Sequence, residues 1–125
     1  MTLFNQDGQA NLPADTYLKD VTVYDYGGTI TGLETFNISR GGAVKVYPPL
    51  LSNPHYVPII YNLNTISVLD GGLFQYYGYA EADDVLTVNL TGDLMIRGGG
   101  EMYVNKMKLN GKFSDTCFFI RSFIN

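Results

Sequence analysis

Leu63-Asn-Thr-Ile-Ser-Val-Leu-Asp-Gly-Gly-Leu-Phe-Gln-Tyr-Tyr77 decides the fold. Apolar and polar residues alternate on both sides of its glycine pair. The stretch therefore reads as two half-buried strands meeting at a corner. The pattern recurs as Leu33-Glu-Thr-Phe-Asn-Ile-Ser-Arg-Gly-Gly-Ala-Val-Lys-Val-Tyr47 and as Thr91-Gly-Asp-Leu-Met-Ile-Arg-Gly-Gly-Gly-Glu-Met-Tyr-Val-Asn105. A fourth copy, Leu18-Lys-Asp-Val-Thr-Val-Tyr-Asp-Tyr-Gly-Gly-Thr-Ile-Thr31, has one extra residue before its glycines. Gly27-Gly28, Gly41-Gly42, Gly71-Gly72 and Gly98-Gly99 are read as equivalent corners, where glycine permits positive φ and close backbone approach. The alternation assigns an inward set of Leu33, Phe36, Ile38, Val44 and Val46; Leu63, Ile66, Val68, Phe74 and Tyr76; Leu94, Ile96, Met102 and Val104; and Leu18, Val21, Val23 and Ile30.

The copies begin at residues 18, 33, 63 and 91, and further β-type runs, Tyr56–Tyr61 and Val85–Leu90, lie between them. A period of 28 to 30 residues then holds about three strands, and one such unit cannot bury its apolar face alone. The expected fold is all-β with little helix, a short right-handed parallel β-helix, or β-solenoid, over residues 17–112. A β-sandwich is the alternative, but it has no need of an in-register repeat. Residues 1–16 are polar and turn-rich and are expected to form an N-terminal cover. Residues 113–125 break the repeat with Phe and Ile and are read as an apolar C-terminal cap or interface.

Composition narrows the partners. The chain has 125 residues and a net charge of -4, with 12 acidic and 8 basic side chains, which argues against nucleic acid. No apolar run is long enough for a membrane span, so no membrane insertion is expected. One Cys and one His exclude a disulfide framework and a Cys/His metal centre; neither a metal nor a cofactor is expected. Cys117 reads as a buried inert thiol, and the residues after Met1 show no signal-peptide pattern.

Each candidate site has a structural and a functional reading. Arg40, Asp70 and Arg97 each precede the glycines, and stacked they form an ion-pair ladder setting register, or a carbohydrate- or carboxylate-contacting groove. Asp20, Thr35, Thr65 and Asp93 share a second position, read as corner hydrogen bonding or as a carboxylate pair. The intervening threonines place Asp20 and Asp93 too far apart to act together. Glu81, Asp83 and Asp84 read as a solvated loop, without calcium-loop spacing. Tyr47, Tyr56, Tyr61, Tyr77 and Tyr79 cluster around the insertion Pro48–Pro58 and are the ligand-contact candidates, since a large stiff ring stacks on sugars or docks a partner. His55 has no nucleophile in a recognisable motif. Asn37-Ile-Ser39 and Asn89-Leu-Thr91 are glycosylation sequons, with Asn37 and Asn89 pointing outward.

Leu90-Thr-Gly-Asp-Leu-Met-Ile-Arg-Gly-Gly-Gly-Glu-Met-Tyr-Val-Asn105, with the recurring glycine pairs, resembles the β-helical repeats of large extracellular proteins, the G8-type domains of fibrocystin-like and hyaluronan-binding or hyaluronan-degrading surface proteins. The resemblance spans roughly residues 17–112 and implies a secreted or ectodomain setting with a role in adhesion, matrix contact or carbohydrate binding. No site residue carries over from it.

The expected function is a non-catalytic structural or interaction module, a segment of an extracellular adhesion or matrix protein, with self-association through the solenoid ends and a glycan as partners. An enzyme is left open. The alternatives are a carbohydrate-binding or carbohydrate-degrading β-helix protein and a self-assembling cytoskeletal β-helix. The setting is extracellular or cell-surface within a longer chain, and cytoplasmic if the chain is full length.

Overall fold

The computed structural model describes residues 2–5, 8–47, 59–76, 86–104 and 107–113. Among them are 13 strands and no helix: β1 (Thr2–Asn5), β2 (Gly8–Leu12), β3 (Thr16–Lys19), β4 (Thr22–Asp25), β5 (Gly28–Gly32), β6 (Thr35–Ser39), β7 (Ala43–Val46), β8 (Ile59–Leu63), β9 (Thr65–Leu69), β10 (Leu73–Tyr76), β11 (Leu86–Arg97), β12 (Glu101–Val104) and β13 (Met107–Phe113). The protein is all-β, and every described strand pair is parallel.

The chain visits a five-stranded sheet once, an eight-stranded sheet twice, and returns. The five-stranded sheet has the order β1-β4-β7-β10-β12. The eight-stranded sheet has the order β2-β5-β8-β11-β9-β6-β3, with β13 also on β11. Its two halves join because β11 is long enough to pair with β8 through Thr87–Leu90 and with β9 through Leu94–Arg97. Strands of the five-stranded sheet begin at residues 2, 22, 43, 73 and 101. The first two rounds are thus 20 and 21 residues long, and the longer ones carry their extra residues between β7 and β8 and between β10 and β11. The 28-to-30-residue period is a shorter round with insertions.

Register sends one side of each strand into a common core. Val23, Val44, Phe74 and Met102 align across the five-stranded sheet. Leu18, Ile38, Val68 and Ile96 align across one half of the larger sheet, and Ile30, Tyr61, Val88 and Leu109 across the other. β-branched and aromatic side chains dominate these columns, as a pleated buried surface favours. Most of the expected inward set is buried, while Val21 and Val23 are partly buried against the core. Leu33 is the exception at 87% exposed, because it lies between β5 and β6. Ile59, Tyr61, Leu86, Val88, Leu90, Met107 and Leu109 complete the core cluster among the described residues.

The glycine corners follow from turn geometry. Gly42, Gly72 and Gly100 donate their N–H to the carbonyls of Ser39, Leu69 and Arg97, at 2.8, 2.9 and 2.9 Å. The two central residues of each turn have positive φ: Arg40 and Gly41 (44° and 81°), Asp70 and Gly71 (49° and 84°), Gly98 and Gly99 (57° and 82°). Two successive positive φ values mark the mirror-image turn family, which is dominated by Gly, Asn and Asp.

The register changes three readings. In the first round the corner equivalent to Arg40-Gly41-Gly42 is Asp20-Val21, since Lys19 pairs with Ser39 and Thr22 with Ala43. Gly27 and Gly28 belong to a different corner, between β4 and β5, and Gly28 pairs with Gly8 and Ile59. The described part of residues 1–16, expected as an N-terminal cover, includes β1 and β2, which pair with β4 and β5. The tail from residue 114, with Cys117, lies outside the described residues.

Candidate binding groove

Asparagine is a poor strand former, yet Asn11, Thr31, Asn62, Asn89 and Asn110 align in one outward column across β2, β5, β8, β11 and β13. Their side chains bond along the column. Asn110 Nδ2 donates to Asn89 Oδ1 at 2.7 Å, and Asn89 Nδ2 donates to Asn62 Oδ1 at 2.8 Å. Thr31 Oγ1 donates to Asn11 Oδ1. Each amide satisfies its neighbour, which is how stacked asparagines are accommodated on adjacent strands. Replacing Asn89 by Leu removes both of the bonds it makes along the row. The expected cost is about 1 kcal/mol, read as a lower urea midpoint at an unchanged slope.

Beside this row runs an open groove of about 810 Å³. The Asn/Thr row forms one wall. Leu12, Pro13, Leu33 and Thr91 also line the groove, near where the chain passes between the two halves of the larger sheet. No described lining residue is ionisable. Along that turn, Thr91 Oγ1 donates to Asn64 Oδ1 at 3.0 Å, and the Gly92 N–H donates to the Asn64 carbonyl at 2.8 Å.

A second surface lies on the five-stranded sheet. Tyr26 stacks on Tyr47 at 5.4 Å and 17°, and Tyr24 lies 6.3 Å from Tyr47 at 16°. Lys45 Nζ stands 6.0 Å from the Tyr24 ring centroid, at the limit of a cation–π contact. Of the tyrosine candidates, Tyr47 is 36% exposed. Tyr61, expected at the surface, points inward instead, fully buried and edge-on to Phe74 at 5.8 Å. Tyr56, Tyr77 and Tyr79 lie outside the described residues, as do His55, Glu81, Asp83 and Asp84. Tyr24 and Tyr26 were missed; their alternate positions before a corner were the available signal.

Tyr61 instead serves a buried carboxylate. Asp25 is fully buried, in a column whose other members include Val46, Tyr76 and Val104. Tyr61 donates its hydroxyl to Asp25 Oδ2 at 2.6 Å, and the Gly27 N–H donates to Oδ1 at 3.2 Å. Burial, then the neighbouring Asp25 charge and the hydrogen bond to it, push the Tyr61 hydroxyl well above its ordinary pKa of 10.0.

The remaining candidates divide by register. Arg40 and Asp70 share a column and pair through the backbone, the Arg40 N–H donating to the Asp70 carbonyl at 3.1 Å. Arg97 lies one position earlier, beside Leu69, and Gly98 follows it, so the three do not share one column. Thr35 and Thr65 pair as expected, and the Asp93 N–H donates to Thr65 Oγ1 at 3.3 Å. The first member of that column is Asp15, not Asp20: its Oδ1 accepts the Thr35 N–H at 2.8 Å. Asp20 and Asp93 are in different columns and form no carboxylate pair. No group of three or more metal-ligating side chains occurs among the described residues. Of the sequon asparagines, Asn89 is held within the amide row, and Asn37 is half-buried with Nδ2 3.4 Å from the Thr16 and Thr35 carbonyls.

The row itself was legible as a recurring Asn-Leu dipeptide at 11–12, 62–63 and 89–90, which has meaning only once the register is known. Searches of protein-family models, curated proteins and solved structures find no match to this chain.

Proposed function

We propose that this chain is a stretch of right-handed parallel β-helix and works as a non-catalytic structural and interaction module that stacks end to end, as a segment of an extracellular adhesion or matrix protein. The observation that carries the reading is the polarity of the amide row. Each recorded bond in it has its donor on the later round and its acceptor on the earlier one. The row thus runs from Asn11 on β2, whose Nδ2 is left as a donor, to Asn110 on β13, whose Oδ1 is left as an acceptor. An open sheet edge, with its unpaired N–H and C=O groups, is also a template for pairing. Contacts between unlike ends build an open array rather than a closed dimer.

Size-exclusion chromatography with light scattering over a concentration series tests this. The full chain should show a mass that rises with concentration. Asn11→Lys places a charge on the outermost amide and should hold the chain at monomer mass. A full chain that stays monomeric at every concentration contradicts the reading.

A further inference from the structure

We propose that the groove beside the amide row binds an extended, neutral, hydroxyl-rich polymer, a linear polysaccharide lying along the row. The proposal rests on the groove and not on end-to-end stacking.

The first argument is the unused bonding capacity of the row. A primary amide offers two N–H donors and two acceptor lone pairs. Asn89 spends one donor on Asn62 and one lone pair on Asn110. One N–H and one lone pair remain, on a half-buried side chain beside the groove. A hydroxyl is the matching group, because it donates once and accepts at the same atom. Asn62 and Asn110 are exposed and present the same chemistry on the neighbouring rungs.

The second argument is spacing. Rungs on adjacent strands recur at about 4.8 Å, so five of them span about 19 Å. An extended peptide along the same line repeats every two residues, about 6.8 Å, and falls out of step with the rungs. A chain of hydroxyl-bearing rings presents several hydroxyls on each ring and keeps donors and acceptors within reach of every rung.

The third argument is charge and shape. With no ionisable side chain among the described lining residues and a net charge of -4, nothing in the groove favours a polyanion. Among the lining residues Pro13 and Leu33 are exposed, Leu33 at 87%, and give an apolar face for the C–H surface of a sugar ring. A volume of about 810 Å³ lies in the range of ligand sites.

Affinity electrophoresis in native gels tests the proposal, with mixed-linkage β-glucan, xyloglucan or galactomannan cast into the gel as neutral probes and hyaluronan as the anionic one. The full chain should be retarded by at least one neutral polymer and not by hyaluronan, with little dependence on salt. Leu33→Asp alters an exposed side chain and should weaken retardation at least tenfold without lowering the thermal midpoint. Asn62→Asp removes the donors of one rung and should do the same. Tyr17→Ala, at a 69% exposed position on another strand, should bind as the parent does. Absence of retardation by all three neutral polymers overturns the proposal. So does equal retardation of the parent, Leu33→Asp and Asn62→Asp, or retardation by hyaluronan alone.

Discussion

Gly72→Ala should cost the protein about 3 kcal/mol or more, or prevent folding, while Gly71→Ala, one residue away, should cost about 1–2 kcal/mol. A methyl group on Gly72 would stand 2.2 Å from the Ile38 carbonyl oxygen and 2.6 Å from its carbon. Those atoms belong to a paired strand of the preceding round and cannot yield without breaking the ladder. Gly42 and Gly100 meet the same obstacle, from the Leu18 oxygen at 2.1 Å and the Val68 oxygen at 2.2 Å. Gly71 has no atom within 4 Å of an added methyl, so its cost is only that of a non-glycine residue at φ +84°. Urea unfolding of both variants measures the contrast. Equal losses would mean that rounds are not packed backbone to backbone at this corner.

The second large effect is at Tyr61. Tyr61→Phe removes the hydroxyl that bonds the buried Asp25 carboxylate and should cost about 1.5–3 kcal/mol at neutral pH. It should also change the response to alkali. The unfolded chain releases the tyrosine proton near pH 10, whereas the folded chain holds it to well above that value. The folded state is therefore undisturbed by this group below pH 10. As pH rises past 10 the unfolded state is favoured by up to about 1.4 kcal/mol per unit. Unfolding at pH 8, 9.5, 10.5 and 11 should show this decline in the parent and a shallower one in Tyr61→Phe. Parallel declines would place the titration on other residues.

Much of this architecture was readable from the sequence. The period-two alternation around Gly41-Gly42, Gly71-Gly72 and Gly98-Gly99 reports strands and corners, because a strand with one buried face and a mirror-image turn each restrict residue type. The first round was harder. Its corner, Asp20-Val21, has no glycine pair, and the conspicuous Gly27-Gly28 belongs to another corner. Leu18 consequently aligned with Leu33 rather than with its register partner Ile38. Insertions in the later rounds concealed the 20- and 21-residue length of the early ones. The groove was less legible because its wall combines residues from five strands far apart in the chain. Asp25 and Tyr61 also broke the pattern: a carboxylate at an inward position makes sense only with its donor, which lies on the next round.

The central claim is that successive rounds lie side by side, parallel and in this register. Disulfide trapping tests it directly. Lys45 and Gln75 are register partners on β7 and β10. Neighbouring strands at about 4.8 Å lie within the Cα separation that a disulfide spans. In a Cys117→Ser background, Lys45→Cys with Gln75→Cys should close an intramolecular disulfide under mild oxidation. Lys45→Cys with Tyr103→Cys, one strand further apart, should not. Closure of the first pair alone is the predicted result. Failure of the first pair, or equally ready closure of the second, would contradict the arrangement.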